Sequence, residues 1–195
     1  MGDRQALARL AARLNRDAGS PAIPSLYFFT DPERTPDPVA SAERLRRGAA
    51  IVFRHFGAAD RLPTARALAR VARRRGLKLL IGADPVLAHR VGADGVHWPE
   101  RLLPRAERFG LTTAAAHSAD AVARAIAIGA DAVVLSPVFP SRSAYATREL
   151  GVFHASQIAR GAARPVIALG GVNAKTARML IGRGFAGCAA VEALA

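Results

Sequence analysis

The 195-residue chain has one cysteine, two lysines and few aromatic residues, and it lacks any long apolar run. A disulfide within the chain is excluded because Cys188 has no partner, and a reducing compartment such as the cytoplasm is what we expect. No apolar run approaches the roughly 18 residues that a membrane-spanning helix needs. The first 14 residues alternate arginine with alanine and leucine, unlike the continuous apolar stretch of a secretory signal. These absences predict a cytoplasmic protein without a membrane partner.

Positive charge is abundant, since 28 basic residues face 15 acidic ones and the formal net charge is +13. A charge of this size is compatible with nucleic acid or with an anionic substrate. However, almost all of it is arginine, spread between alanines over predicted helix surfaces. No basic motif is interleaved with aromatic residues, a pattern typical of surfaces that bind single-stranded nucleic acid. We therefore expect no nucleic-acid partner.

The sequence GADAVVLSPVFP at residues 129–140 shows the unit from which the chain is built. Its apolar residues 132–135 lack polar alternation, which is typical of a strand covered on both faces in a parallel sheet. Two prolines end this strand because proline donates no backbone hydrogen bond. The polar residues 141–148 then predict a loop of the kind that holds ligands in parallel α/β folds.

The same helix-to-strand unit recurs along the chain. Helices are predicted over 3–17, 38–47, 62–75, 84–91, 102–109, 118–128, 151–160 and 173–183. Strands are predicted over 26–30, 50–54, 77–81, 95–98, 112–116, 132–135, 165–169 and 185–191. Glycine opens the corner before four of the strands, at residues 48, 92, 129 and 184. Eight alternating units predict an α/β protein with a (β/α)₈ TIM barrel in a single domain. An open doubly wound sheet is the alternative, although no Gly-x-Gly-x-x-Gly follows the first strand.

The predicted barrel occupies residues 25–195, and residues 1–24 form an extra N-terminal helix and a linker. Only residues 192–195 follow the eighth predicted strand, so the final helix of the barrel is truncated or missing. Leu7, Leu10 and Leu14 share one face of the N-terminal helix. We expect this face to cover apolar surface that a final helix would otherwise shield, and a truncated chain is the competing explanation.

Candidate site residues are those at the carboxyl ends of the predicted strands, where barrels of this class hold their chemistry. They are Arg54, His55, His97, His117, Ser136, Ser141, Ser143, Gly170 and Gly171. A histidine there can transfer protons near neutral pH, an arginine can clamp an anion, and backbone N–H groups at the glycines can approach a phosphate. Glu192 weakens the phosphate interpretation, because its carboxylate repels phosphate unless it turns away.

The three histidines among these candidates are also compatible with a metal site, or with filling the top layer of the barrel. No histidine–carboxylate spacing motif supports metal binding, so we predict no metal ligands.

Five short motifs follow one another along the predicted barrel. They are LYFFTD at 26–31, GADGVH at 92–97, AHS at 116–118, SPVFPS at 136–141 and ALGGV at 168–172. In combination and order they resemble the thiamine phosphate synthase/TenI superfamily, whose first motif reads L-Y-x-x-T-D. The resemblance runs from residue 26 to about residue 194. It implies a TIM barrel, and in the synthase members a reaction that joins a pyrimidine pyrophosphate to a thiazole phosphate with magnesium holding the pyrophosphate.

The family residues that hold magnesium and phosphate groups are largely replaced in this chain. Ala83 and Leu102 stand at the positions of the two magnesium aspartates, Ala144 at that of a pyrophosphate lysine, and Glu192 at that of the phosphate-cup serine. The second-strand motif Q-L-R-E-K becomes VFRHF at 52–56, in which the arginine alone matches. A synthase site without these groups loses stabilisation of the departing charge. We therefore expect no cofactor, and Mg²⁺ only if synthase activity is retained.

The TenI-type thiazole tautomerases also lack the aspartate pair and use the histidine after the fifth strand for proton transfer. His117 stands at that position. The resemblance therefore implies proton transfer within a thiazole carboxylate phosphate, with His117 as acid/base and a phosphorylated small molecule as partner. The alternatives are a thiamine phosphate synthase and a repurposed, non-catalytic barrel that binds a ligand or a partner. The sequence gives no oligomeric state.

Overall fold

Eight short parallel strands close into a ring in chain order, so that the eighth pairs with the first. The structure is a computed structural model that describes residues 2–104, 109–141 and 148–195. The strands are β1 (Leu26–Phe29), β2 (Ala50–Phe53), β3 (Lys78–Gly82), β4 (Gly95–Trp98), β5 (Leu111–Ala116), β6 (Ala132–Leu135), β7 (Val166–Ala168) and β8 (Phe185–Ala190). The ring confirms the predicted (β/α)₈ barrel and excludes the open doubly wound sheet.

Helices lie between most of the strands and cover the outside of the ring. They are α1 (Asp3–Asp17), α2 (Pro38–Glu43), α3 (Arg61–Arg75), α4 (Pro85–Val91), α5 (Ala119–Ala127) and α6 (Val152–Gly161). Short 3₁₀ helices span Glu100–Leu102, Thr176–Leu180 and Glu192–Leu194. Within the described part of the chain, no helix is both long enough and apolar enough to cross a membrane.

The apolar residues of the strands divide between two cores. Side chains that point into the ring fill its interior, and they include Tyr27, Phe29, Val52, Leu80, Val134 and Ile167. The alternate side chains, such as Phe28 and Phe53, pack outward against the helices. Both faces of each strand are therefore buried, which is why the strands lack polar alternation. Because side chains fill the interior, a ligand must bind at a mouth of the ring.

Helix α1 packs against β8, the strand that a final barrel helix would follow. Its Leu7 and Leu14 side chains are almost fully buried. The Asn15 amide donates hydrogen bonds to the carbonyl of Ser20 at 2.7 Å and to that of Ala186 in β8 at 3.1 Å. The helix also contacts the 3₁₀ turn Glu192–Leu194, so it covers the region where β8 ends.

Most helix ends lie where local sequence signals predict them. Asp84 and Ser118 cap α4 and α5, accepting hydrogen bonds from Leu87 N–H at 2.8 Å and Ala121 N–H at 3.2 Å. The four corner glycines all have positive φ angles, between 65° and 84°. This conformation costs glycine little and lets each helix turn sharply into the next strand.

Two predicted helices are shorter in the structure. The helix predicted over 38–47 ends at Glu43, after which the backbone tightens into bonds from Arg44 N–H and Leu45 N–H to carbonyls three residues back. The one predicted over 173–183 is only the 3₁₀ turn Thr176–Leu180. The helix predicted over 102–109 shares Leu102 with the turn Glu100–Leu102, and its residues 105–108 lie outside the described chain.

Candidate active site at the mouth of the barrel

Two arginines converge on one carboxylate where β1 and β2 end. Arg54 donates through Nε to the carbonyl of Thr30 at 2.9 Å, and its Nη2 lies 3.4 Å from Asp31 Oδ2. Arg34 donates to the same Asp31 oxygen at 2.9 Å. The Arg54 guanidinium also lies over the Phe29 ring, 5.5 Å from its centroid. The cluster fixes the Arg54 guanidinium at the mouth of the barrel.

The Asp31 carboxyl stays ionised in this cluster. Its partial burial favours the neutral acid, but the hydrogen bonds from Arg34 and the charges of Arg34 and Arg54 outweigh that effect and lower its pKa. Glu192 reaches the same cluster, with its Oε1 4.0 Å from Arg34 Nη1 and its side chain 52% exposed. The carboxylate that the sequence places beside the phosphate cup thus has a cation next to it.

His97 lies at the end of β4 in the interior of the ring. Its Nδ1 is 2.9 Å from the hydroxyl oxygen of Thr113, and its ring meets that of Phe29 edge-on at 4.9 Å. Burial lowers the pKa of His97 to about 3, and the positive charge of Arg54 adds to this effect. The imidazole is therefore neutral at physiological pH and acts as a hydrogen-bonding wall of the site.

His55 also lies at the end of its strand, but on the outer side. Its buried ring stacks at a tilt on that of Phe53, 4.9 Å between centroids, in the core between the ring and the helices. Burial lowers the pKa of His55, against the opposing negative charges of Asp60 and Asp31. Its Nε2 has no hydrogen-bond partner within the described residues. The structure thus separates His55 from His97, although both follow the same sequence rule.

His117 opens the loop after β5 and pairs with Glu100, which belongs to the turn after β4. The His117 Nδ1 lies 2.6 Å from Glu100 Oε2, and the backbone N–H of His117 donates to the same oxygen at 3.0 Å. Because a carboxylate only accepts, Nδ1 carries the proton and Nε2 is left as the basic nitrogen. The His117 side chain is 45% exposed, so Nε2 chemistry can take place in contact with solvent.

Glu100 is itself held in place from the other side. Arg124 of α5 donates to its second oxygen at 2.7 Å. Partial burial opposes ionisation of Glu100, but the hydrogen bonds and charge of His117 and the charge of Arg124 together lower its pKa. Glu100 was not among the site residues predicted from the sequence. The available signal was its place three residues after His97 in the family-like stretch, but its partnership with His117 depends on how the turn folds.

Gly170 and Gly171 join the loop after β7 to the loop after β6. The Gly170 carbonyl accepts from Phe139 N–H at 3.1 Å. A Cβ atom at Gly170 would lie 2.6 Å from Pro137 Cα, and one at Gly171 would lie 2.3 Å from the carbonyl oxygen of Pro140. Both glycines have positive φ, so side chains are excluded by conformation and by space. Besides any ligand role, the pair therefore supports the loop that begins at Ser136.

The sequence-predicted residues fall into separate groups in the structure. Arg54 and His97 come together around Phe29, whereas His117 is bound to Glu100. Ser136 and Ser141 bracket the loop that Gly170 and Gly171 support, and Ser143 lies outside the described residues.

The residues at the β3–α4 corner do not fit the magnesium that the family resemblance implies. The two aspartate positions hold Ala83 and Leu102. The remaining carboxylate, Asp84, uses Oδ1 to cap α4 and Oδ2 to pair with Arg61. Within the described residues, no three or more histidine, cysteine, aspartate or glutamate side chains are grouped so that they could hold a metal ion.

The fold and the polar groups at its mouth place the protein in the class of (β/α)₈ barrels with a site at the carboxyl ends of the strands. The sequence pattern of the family described as TMP-TENI, thiamine monophosphate synthase, matches residues 26–194. The chain therefore belongs to the thiamine monophosphate synthase (TMP-TENI) family.

Individual relatives agree with this assignment. The thiamine-phosphate synthase of Bacillus velezensis is 30% identical over 185 residues, which cover 87% of this chain and 83% of the relative. That of Chlorobium luteolum is 34% identical over 186 residues, covering 90% and 87%. Among solved structures, the thiamine phosphate pyrophosphorylase of Pyrococcus furiosus superimposes with a TM-score of 0.74 over 93% of this chain and 87% of that one, at 24% identity. The similarity to this solved structure supports the fold assignment.

Proposed function

We propose that this protein moves a proton within a phosphorylated thiazole carboxylate, with His117 as the acid/base, in the cytoplasmic thiamine pathway. The observation that carries the proposal is the His117–Glu100 pair, 2.6 Å between Nδ1 and Oε2. A base whose second nitrogen is oriented by a carboxylate is the usual arrangement for proton transfer. The reaction needs one base and an anion clamp, and no cofactor.

The anion clamp is proposed at the neighbouring strand ends. Arg54 carries a guanidinium fixed by Thr30 and Asp31, which suits it to bind a carboxylate or phosphate oxygen. The backbone of Gly170 and Gly171 lies at the seventh strand end, where barrels of this class bind phosphate. Arg34 beside Glu192 offsets the negative charge that would oppose a phosphate there.

The proposal is tested by incubating the protein with each isomer of the thiazole carboxylate phosphate and following interconversion by proton NMR. We expect interconversion above the buffer rate. His117→Ala should lower kcat by about 10²- to 10⁴-fold, the usual contribution of a general acid/base. Glu100→Gln should lower kcat by about tenfold to a hundredfold with little change in KM, because a neutral amide replaces the charged carboxylate that orients the imidazole.

The matched control is His154→Ala, which removes an exposed histidine from α6 and should leave the rate unchanged. Absence of interconversion, or an unaltered rate in His117→Ala, would contradict the proposal.

A second candidate is thiamine phosphate synthesis, which the names of the curated relatives favour. Mixing the pyrimidine pyrophosphate and the thiazole phosphate with magnesium, and detecting the coupled product, would support it. Ala83 and Leu102 at the two aspartate positions argue for a slow reaction. If neither reaction occurs, stabilisation of the protein only by an unrelated ligand in a thermal-shift screen would indicate a repurposed binding barrel.

A further inference from the structure

The corner where the resemblance implies magnesium is filled by a different assembly, built from α3 and the end of β3. Arg61, the first residue of α3, pairs through Nη1 with Asp84 Oδ2. Its Nη2 donates to the carbonyl oxygen of Gly82 at 2.9 Å. One guanidinium thus ties the carboxylate to the last backbone carbonyl of β3, using the planar fork that distinguishes arginine from a point charge.

The neighbouring residues are adapted to this guanidinium. Phe56, which replaces the family lysine of the second-strand motif, lies under Arg61 with 5.8 Å between the guanidinium carbon and the ring centroid. A Cβ atom at Gly82 would be 2.9 Å from Phe56 Cζ, so the ring occupies the space of a side chain at position 82. Phe56, at the position of the family lysine, therefore packs against both Gly82 and the Arg61 guanidinium.

We propose that Arg61 is the resident cation of this corner and takes the place of a divalent ion at Asp84. Arg61 neutralises the one carboxylate that remains and fixes the loop in which Ala83 adopts a left-handed φ of 51°. The Arg61 side chain is only 18% exposed, so solvent screens the pair less than it screens a surface pair. Both Asp84 oxygens are already engaged, and a divalent ion would have to displace Arg61 to bind there.

The Arg61–Asp84 pair is independent of proton transfer by His117. Arg61 is a positioning residue, and it compensates the charge of Asp84 in a family member that lacks the aspartate pair. The consequence is that the corner neither needs nor binds magnesium.

The first test is thermal unfolding of the whole protein in EDTA, in millimolar magnesium chloride and in millimolar manganese chloride. We expect the same Tm in all three. A Tm that rises with either metal in the wild-type protein, and no longer does so in Asp84→Asn, would overturn the proposal.

The second test is a double-mutant cycle of Arg61→Met and Asp84→Asn, measured by urea unfolding. Asparagine retains the capping acceptor for Leu87 N–H but not the charge. We expect a coupling of about tenfold in the unfolding equilibrium constant, as for partners in direct contact. Arg66→Met, at an exposed arginine of the same helix, should show no coupling to Asp84→Asn.

Arg61→Lys serves as the charge-retaining variant if Arg61→Met does not fold. It should recover much of the stability in the presence of Asp84 and little of it in Asp84→Asn. Additive effects of the Arg61 and Asp84 substitutions, or equal stability of the Lys and Met variants, would show that Arg61 acts only through packing on Phe56 and would refute the proposal.

Discussion

Two histidines at the ends of neighbouring strands, His97 and His117, differ in their burial and in their hydrogen-bond partners. His97 is enclosed in the ring, where it contacts the neutral hydroxyl of Thr113 and the Phe29 ring. His117 is half exposed and contacts the carboxylate of Glu100. Enclosure without a counter-charge favours the neutral imidazole at His97, whereas the His117 ring is accessible to solvent and oriented by a carboxylate. This difference favours His117 as the acid/base and His97 as a fixed hydrogen-bonding wall.

The enclosure of His97 predicts a pH-dependent stability. An unfolded histidine binds a proton below pH 6.5, whereas burial lowers the folded pKa of His97 to about 3. Between these values the unfolded state binds more protons. The free energy of unfolding is therefore highest above pH 6.5 and falls as the pH is lowered, by up to about 1.4 kcal/mol per pH unit from this group.

The control variant is His97→Asn, which can keep the hydrogen bond to the Thr113 hydroxyl and does not titrate. Urea unfolding across this pH range should give a shallower decline for the variant than for the wild-type protein. Identical slopes would show that His97 is accessible to protons in the native state.

At the scale of elements, the mouth depends on how the loops after β6 and β7 interlock. The contacts of Gly171 with Phe139 and Pro140 leave no space for a methyl group. Gly92, with a nearly equal φ of 65° against 63°, has nothing closer than 3.7 Å to an added Cβ. We expect Gly92→Ala to cost about 1 kcal/mol for its left-handed backbone, and Gly171→Ala to cost about 3 kcal/mol because steric overlap is added to the same strain.

Equilibrium urea unfolding of the two glycine variants measures this difference. Since the backbone conformations are similar, the excess cost at Gly171 reports the closeness of the two loops. Equal costs would mean that the β6 loop yields easily and that the glycines do not support it.

At the scale of the whole molecule, α1 stabilises the ring from the side of β8, opposite the sole tryptophan at the end of β4. Leu14→Ala removes an almost fully buried side chain of α1 and should lower the free energy of unfolding by about 2–5 kcal/mol. Because a closed ring unfolds as one unit, Trp98 fluorescence and far-UV circular dichroism should shift to the same lower Tm.

The exposed neighbour Arg13→Ala should change the Tm little. A Leu14→Ala protein whose circular dichroism transition moves while its Trp98 transition stays would show that α1 detaches separately from the barrel.

The sequence by itself determined the elements and their closure into a ring. These elements follow from local signals: apolar strands without polar alternation, the helix caps Asp84 and Ser118, and the corner glycines. Each signal acts on the backbone within a few residues of itself. Where local signals are weak, the prediction was wrong: the α-helix predicted over 173–183 is the 3₁₀ turn Thr176–Leu180.

Only the tertiary structure decided which side chains meet at the mouth. His117 contacts Glu100, which is 17 residues away in the sequence, and Arg61 contacts Asp84, which is 23 residues away. Each pair joins loops or helices from different units of the barrel. His55 and His97 both lie at the carboxyl ends of strands, but His55 faces the helices and His97 faces the interior of the ring. The direction of a side chain at a strand end depends on the twist and register of the closed sheet, and no local pattern of residues encodes that.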